Sequence, residues 1–282
     1  MKKASSAFGR ERSRAAARAR TTYLPGRMGR NLHTLIRDLQ RRKARERRGL
    51  VVAEGLRLVE DALESNARVV GVLAADDVAG GTAADLLGRA AGRGALTQVA
   101  PRREFDQIAD TETPSGVLAV VEWEPLGLGA LTPADGCLLV LDGVQDPGNV
   151  GTMIRTAHAL GASGTVALDR TADVRNPKVV RGAMGALFRH PVAVAELDAF
   201  AAWAERGRYA IWLAVQDGTP AARADRPPRV ALVLGSEGHG VRAAWSERAH
   251  RRVSVPMRAG AESLNAAVAA GILLYELTRA SR

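Results

Sequence analysis

At 282 residues the chain is long enough for two domains or one large one with a substantial core; aromatics are scarce at 4%, while Ala, Gly and Arg are abundant. The one cysteine, Cys137, excludes an internal disulfide framework and a cysteine-based zinc site, and no apolar run approaches the roughly 20 residues of a membrane span. The net charge of +10 sits at one end, because residues 1–50 hold 16 Lys+Arg against 3 Asp+Glu and the remainder holds 24 against 27.

A basic arm on a near-neutral body reads as a polyanion-binding element, most often for nucleic acid. Residues 1–30 are rich in Arg, Ala and Ser, lack the apolar core of a secretory signal, and are expected to be a basic disordered arm of a cytoplasmic protein. Residues 31–48 suit one basic helix with Leu32, Leu35, Ile36 and Leu39 on its apolar side, and its arginines suit phosphate contacts. Residues 50–123 then alternate strands (50–53, 68–73, 97–99, 117–123) with helices (55–65, 83–91, 102–109), which predicts a small α/β unit. The Pro- and Gly-rich stretch 124–135 reads as a linker.

From 136 onward the strands are stronger. The continuous apolar run 137–143 suits a strand buried on both faces of a parallel sheet. Further strands are expected at 165–168, 192–195, 209–215, 230–234 and 253–255, with helices at 149–160, 176–187, 198–206 and 241–249, and a polar loop at 217–228. The last helix is expected to begin at Ser263, a good N-cap, and to bury Leu264, Ala267, Val268, Gly271, Ile272 and Tyr275.

Three loops follow predicted strands, at Asp142–Asn149, Gly235–Gly240 and Pro256–Glu262, and in an open α/β sheet ligands bind outside those strand ends. Each loop is rich in small residues, which let a ligand approach the backbone. Asn149 lies near a helix N-terminus and Arg155 lies one and a half turns on, a pairing suited to anions. Glu237 sits between glycines, where it can accept several hydrogen bonds; His239 beside it reads either as a base or as a solvated loop histidine. Neither G-x-G-x-x-G nor G-x-x-x-x-G-K-[ST] occurs, which counts against a nicotinamide-dependent oxidoreductase on a doubly wound sheet.

The segments N-x-G-x-x-x-R-T at 149–156, LVLGSEGHGV at 232–241, and VSVPM with ESLNAAVAAGILLYE at 253–276 resemble the three motifs of the SpoU (TrmH-like) RNA 2′-O-methyltransferases of the SPOUT superfamily. The unit at 50–123, with EGLRLVEDAL and TETPSGVLAV, is similar to the ribosomal-protein-like RNA-binding domain that precedes the catalytic domain in many members, so an RNA substrate-binding domain is expected over 31–123 and the SPOUT domain over 136–282. The resemblance implies a C-terminal α/β domain with a parallel sheet and a trefoil knot, and S-adenosyl-L-methionine as cofactor with no metal. It further implies a homodimer with the active site near the subunit interface, and methylation of a ribose 2′-hydroxyl, in ribosomal RNA ahead of transfer RNA. By resemblance, Arg155, Asn149, Glu237, Ser263 and Asn265 carry the chemistry, and Leu234, Gly235, Val255, Met257 and Leu264 hold the cofactor. The same residues serve a housekeeping or an antibiotic-resistance methylation. The rival from another class is a non-catalytic RNA-binding or ribosome-assembly factor that keeps the C-terminal pocket for folding only.

Overall fold

The computed structural model describes residues 31–260 and 262–279; the expected arm at 1–30 lies outside them. The N-terminal part begins with two helices, α1 (Leu32–Leu39) and α2 (Arg42–Arg48). A four-stranded sheet follows, built from β1 (Leu50–Glu54), β2 (Arg68–Ala75), β3 (Leu96–Ala100) and β4 (Val117–Glu122) in the order β1-β4-β2-β3. Only the β2–β3 pair is parallel. Helices α3 (Leu56–Glu64), α4 (Asp76–Ala79), α5 (Ala84–Gly92) and α6 (Arg102–Asp106) connect its strands.

The single helix expected over 31–48 is broken at Arg41, whose backbone is extended. Arg45 supplies the reason. Its guanidinium folds back onto the end of α1, donating from Nη1 to the Leu39 and Gln40 carbonyls at 3.0 and 2.8 Å. Those carbonyls are orphaned where α1 stops, so the turn is stabilised by the helix that follows it. The apolar side of α1, Leu32, Leu35, Ile36 and Leu39, is buried as the spacing requires.

The C-terminal part is a six-stranded sheet, ordered β10-β8-β9-β5-β6-β7, with every neighbouring pair parallel. Its strands are β5 (Gly136–Asp142), β6 (Gly164–Leu168), β7 (Val192–Ala195), β8 (Ala210–Pro220), β9 (Arg229–Gly235) and β10 (Arg251–Ser254). Helices α7 (Pro147–Leu160), α8 (Pro177–Ala183), α9 (Leu197–Arg206) and α10 (Ala266–Arg279) cover it. Alternate residues of β5 serve two cores. Leu139 and Leu141 join the core under α7, α8 and α10, which continues into the N-terminal sheet; Leu138 and Val140 join Phe200, Trp203 and Trp245 on the other face.

Four expectations change here. Residues 124–135 are strapped to the sheet: Leu126 donates to Val192 O at 2.8 Å and accepts from Val194 N at 3.1 Å. β8 runs on to Pro220 through the expected loop at 217–228, because β10 pairs with the extension. A side chain at Gly218 would meet the Val253 backbone at 2.6 Å, so only glycine allows that approach. Residues 241–249 form a single 3-10 turn at Ala243–Trp245 rather than a helix. The expected helix at 176–187 stops at Ala183, where Met184 and Gly185 turn left-handed, and resumes only as a 3-10 turn at Ala186–Phe188.

The two parts meet through α8, which lies against β1. At the centre of the junction Arg45 donates from Nε and Nη2 to Asp173 Oδ2 at 3.1 and 2.7 Å, with side-chain exposures of 4% and 7%. Arg181 to Asp110 and Arg189 to Asp61, each at 3.1 Å, lie further out. Exposed pairs contribute little, whereas breaking a buried one strands a charge out of water. Arg45→Met is therefore expected to lower unfolding free energy by about 3–5 kcal/mol in urea titrations. Arg45→Met/Asp173→Leu is expected to recover part of that loss.

A second buried polar pair lies under β6. His190 is 6% exposed, its Nε2 is 2.9 Å from Thr165 Oγ1, and its ring stands 5.8 Å from that of His158. Burial first, and then the nearby His158 charge, push its pKa from 6.5 down to about 4. The unfolded chain thus binds a proton that the folded chain refuses. This contribution is complete above about pH 6.5 and is lost as pH falls toward 4. Urea unfolding is expected to show stability dropping by about 2–3 kcal/mol between pH 7 and 4.5, with a flatter profile in His190→Gln.

Candidate active site

The central strand β5 ends in Asp142, a carboxylate 1% exposed. It accepts Arg242 N at 2.9 Å, Arg242 Nε, and Trp245 Nε1 at 2.9 Å. The Arg242 guanidinium goes on to Asp169, after β6, with contacts of 2.6 and 3.1 Å. Asp169 is held below its ordinary pKa chiefly by that hydrogen bond, against the opposing effect of burial. Burial works against the Arg242 charge, but the bonds to Asp169 and Asp142 outweigh it and its pKa rises. One clamp thus ties together the chain ends leaving β5, β6 and β9.

Nothing in the sequence reading singled out Asp142, Asp169, Arg242 or Trp245 as a set. Trp245 also explains the missing helix at 241–249. Its indole is fully buried beside Phe200, and docking it there sets the path of the segment. The available signal was a tryptophan inside a stretch that otherwise reads as a polar surface helix.

The three loops converge as the strand ends require. Asn149 Nδ2 donates to Glu237 Oε1 at 2.9 Å, and Asn265 Nδ2 donates to Asn149 Oδ1 at 3.1 Å. Gln145 N reaches Glu237 Oε2 at 3.4 Å. One chain of side chains therefore runs from the loop after β9 through the first turn of α7 to the mouth of α10. Asn149 is the third residue of α7, and the helix is capped by Asp146, which accepts Asn149 N at 2.6 Å ahead of Pro147.

Beside this chain is a cleft of ≈ 860 Å³ lined by Leu234, Gly235, Glu237, Val255, Met257, Ser263, Leu264 and Asn265, together with Gln216 and Leu213. The volume suits one small molecule, and the lining joins apolar walls to a few polar groups. Gln216 Nε2 donates to Glu262 O at 2.9 Å and so holds the third loop against β8. Among the described residues no cluster of His, Cys, Asp and Glu suits a metal ion.

Two expectations about the last helix are corrected. α10 starts at Ala266, and its cap is Asn265, which accepts Ala267 N and Val268 N at 2.9 and 3.3 Å; Ser263 is exposed in the preceding loop. The buried face is Ala267, Ala270, Leu273, Leu274 and Leu277. Leu264, Val268, Ile272 and Tyr275 are 39%, 50%, 39% and 52% exposed. A helix apolar on nearly every side carries two readable stripes, and periodicity cannot choose between them.

Arg155 stands apart from the hydrogen-bonded chain. It is exposed, and no hydrogen bond or ion pair engages it among the described residues. The next residue, Thr156, packs against α10, within 3.6 Å of the position a Cβ would take at Gly271.

Residues 136–275 match the SpoU rRNA Methylase family, and residues 34–119 match the MRM3-like substrate binding domain. The 23S rRNA (guanosine(2553)-2'-O)-methyltransferase RlmP of Bacillus subtilis is 35% identical over 86% of this chain and 93% of its own length. The chain belongs to the SpoU methylase family. Solved structures agree. The AdoMet-bound rRNA methyltransferase from Sinorhizobium meliloti superposes with a TM-score of 0.79 at 29% identity, covering 88% of this chain and 94% of that one. The SpoU methyltransferase AviRb from Streptomyces viridochromogenes, in complex with the cofactor AdoMet, gives 0.78 at 28% identity over 89% and 97%. The α/β SPOUT architecture with a parallel sheet and a preceding substrate-binding domain is therefore that of this SpoU methylase.

Gly235 closes the second loop of this SpoU methylase. A Cβ there would lie 1.9 Å from Gly240 C, where Ser236 and Gly240 exchange backbone hydrogen bonds at 3.0 and 2.9 Å. Gly235→Ala is expected to open that turn, with the Ser236 and Gly240 amides exchanging hydrogen faster while the β5 amides keep their protection.

Proposed function

We propose that the chain transfers a methyl group from S-adenosyl-L-methionine to a ribose 2′-hydroxyl of ribosomal RNA, as a homodimer in the cytoplasm. The observation that carries this reading is the chain Glu237–Asn149–Asn265, which joins three loops at the lip of one cleft. Support for ribosomal RNA comes from relatives such as RlmP, which act on 23S rRNA by name, and from the substrate-binding match at 34–119. No helix among the described residues is long and apolar enough to cross a membrane, in keeping with a site open to RNA.

The cleft fits the cofactor. Leu234, Val255, Met257 and Leu264 offer apolar walls, Gly235 gives close access to backbone, and Ser263 and Asn265 offer hydrogen bonds at the mouth. When bound, S-adenosyl-L-methionine supplies an electrophilic methyl on a sulfonium sulfur. The residues of this chain supply position and polarity. Asn149 is fixed at both ends by Glu237 and Asn265, so the lip of the cleft is set before substrate arrives. Arg155 presents a planar guanidinium whose N–H donors match a phosphate. Its role here is to hold a substrate phosphate and polarise the 2′-hydroxyl; the proton leaves to phosphate or water.

The exposed stripe Val268, Ile272 and Tyr275 is on the helix that Thr156, next to Arg155, packs against, and it supports pairing of two copies across α10. Such a pairing brings the partner's surface to the otherwise solitary arginine. The trefoil knot of the superfamily belongs to the same proposal, and the close approach of β10 to β8 at Gly218 is compatible with it.

Labelled S-adenosyl-L-methionine, offered with total ribosomal RNA and separately with transfer RNA, tests the reading. A single labelled ribose in ribosomal RNA is expected. Label in transfer RNA alone would overturn the substrate, and no label together with no cofactor binding would favour the non-catalytic factor. Arg155→Ala is expected to slow turnover by about 100-fold or more with cofactor affinity unchanged. Full turnover in that variant would remove Arg155 from the mechanism.

A further inference from the structure

The N-terminal helices present two kinds of charged surface. On one, α3 and α5 carry Glu60, Glu64 and Asp85, which share the one cation Arg89 at 3.3–3.4 Å. On the other, α2 reads RKARERR and follows directly on Arg41. Its buried Arg45 turns inward to Asp173, and that contact fixes which way the helix faces. Arg42 is neutralised by Glu46 at 2.7 Å, while Arg47 and Arg48 share Asp38. Arg41 and Lys43 are exposed, and neither pairs with an acid among the described residues.

Asp173 also marks where this face meets the catalytic sheet. It belongs to the segment after β6, at the sheet edge that bears the site. That segment is tied to β5 by Gly143 N donating to Thr171 Oγ1 at 3.1 Å and Ala172 N donating to Val144 O at 2.9 Å. Five residues past Asp173, in the first turn of α8, is Lys178, exposed and without an acidic partner among the described residues. α8 crosses α7 at two glycines: a Cβ at Gly151 would lie 2.9 Å from Gly182 Cα. Lys178 is four residues before Gly182, and Arg155 is four residues after Gly151. Residues four apart share a helix face, so both cations flank the crossing.

We infer that Arg41, Lys43, Lys178 and Arg155 form one basic ridge that carries the sugar-phosphate backbone of the RNA from the N-terminal unit to the reacting ribose. This rests on the proposed RNA methyltransferase reading and extends it to the route of the substrate. The occupant is a polyanion because Arg41, Lys43, Lys178 and Arg155 are exposed cations that pair with no acid among the described residues. RNA is the polyanion because the ridge ends at Arg155, beside the ribose-methylating site. Contacts of this kind hold register without reading sequence.

The test uses full-length protein and fluorescently labelled, unmodified ribosomal RNA transcripts, titrated across a range of salt. Arg41→Glu/Lys43→Glu/Lys178→Glu is expected to weaken binding about tenfold or more and to make the slope of log affinity against log salt shallower by roughly 2. S-adenosyl-L-methionine affinity and the thermal midpoint are expected to stay as in the wild type. Arg206→Glu, on the far helix α9, removes one positive charge elsewhere and is expected to leave the slope unchanged. If the triple variant keeps the wild-type slope, or loses no more affinity than Arg206→Glu, the ridge is not the RNA path. Failure of the underlying reading has a different signature: wild-type protein that methylates no RNA.

Discussion

The structure depends on Asp142 having its partners. A carboxylate at the end of a central parallel strand is out of water, and an unpaired charge there would be severely destabilising. Arg242 and Trp245 supply the donors, and Arg242 spans to Asp169 as well. Because those donors come from the segment after β9, satisfying one buried charge also fixes the path of the chain that walls the cleft. The loops after β5, β6 and β9 then stand in a defined relation before any ligand binds. The Asn149–Glu237 bond at 2.9 Å spans two loops that this frame holds side by side.

Small residues do the complementary work. Gly235 lets the second loop close on itself, Gly218 lets β10 lie against β8, and Gly151 with Gly182 lets α7 and α8 approach almost backbone to backbone. Each lies where a methyl group would meet main-chain atoms, which cannot move aside as a flexible side chain can. The α7–α8 contact is what brings Arg155 toward the N-terminal unit, since α8 also rests on β1. Substrate binding and chemistry are thus joined by packed backbone and by the buried Arg45–Asp173 pair, with the strapped segment at Leu126 as a third tie.

Charge is distributed to suit a long anionic substrate. On α3 and α5, Glu60, Glu64 and Asp85 share Arg89, while Asp38, Glu46 and Asp173 are spent on Arg42, Arg45, Arg47 and Arg48. α10, which bears the apolar stripe, packs against Thr156, next in sequence to the arginine that ends the ridge, so a second copy and the RNA would approach a common corner.

Much of this was legible in the residues alone. The continuous apolar runs of β5 and β9 imply a parallel sheet, because only a strand covered on both faces has no polar side. The three motifs placed Glu237 in a loop at a strand end and Asn149 and Asn265 at the mouths of two helices, and the structure brings those three side chains together. The errors share one cause. Local periodicity reports that a segment is apolar or amphipathic, not what it meets. Residues 241–249 have a helical pattern, but Trp245 has a place in the core that a helix would not reach. Residues 217–220 read as loop, but β10 arrives to pair with them. Residues 264–275 offered two apolar faces, and the contact with α7 and the sheet selected Ala270, Leu273 and Leu277 over Val268, Ile272 and Tyr275. The sequence by itself determined which segments could be strands, which loops stand at strand ends, and to which family the chain is similar. Tertiary structure alone decided the Asp142 clamp, the Arg45–Asp173 weld and the exposed side of α10, since each depends on groups far apart in the chain whose meeting no local pattern records.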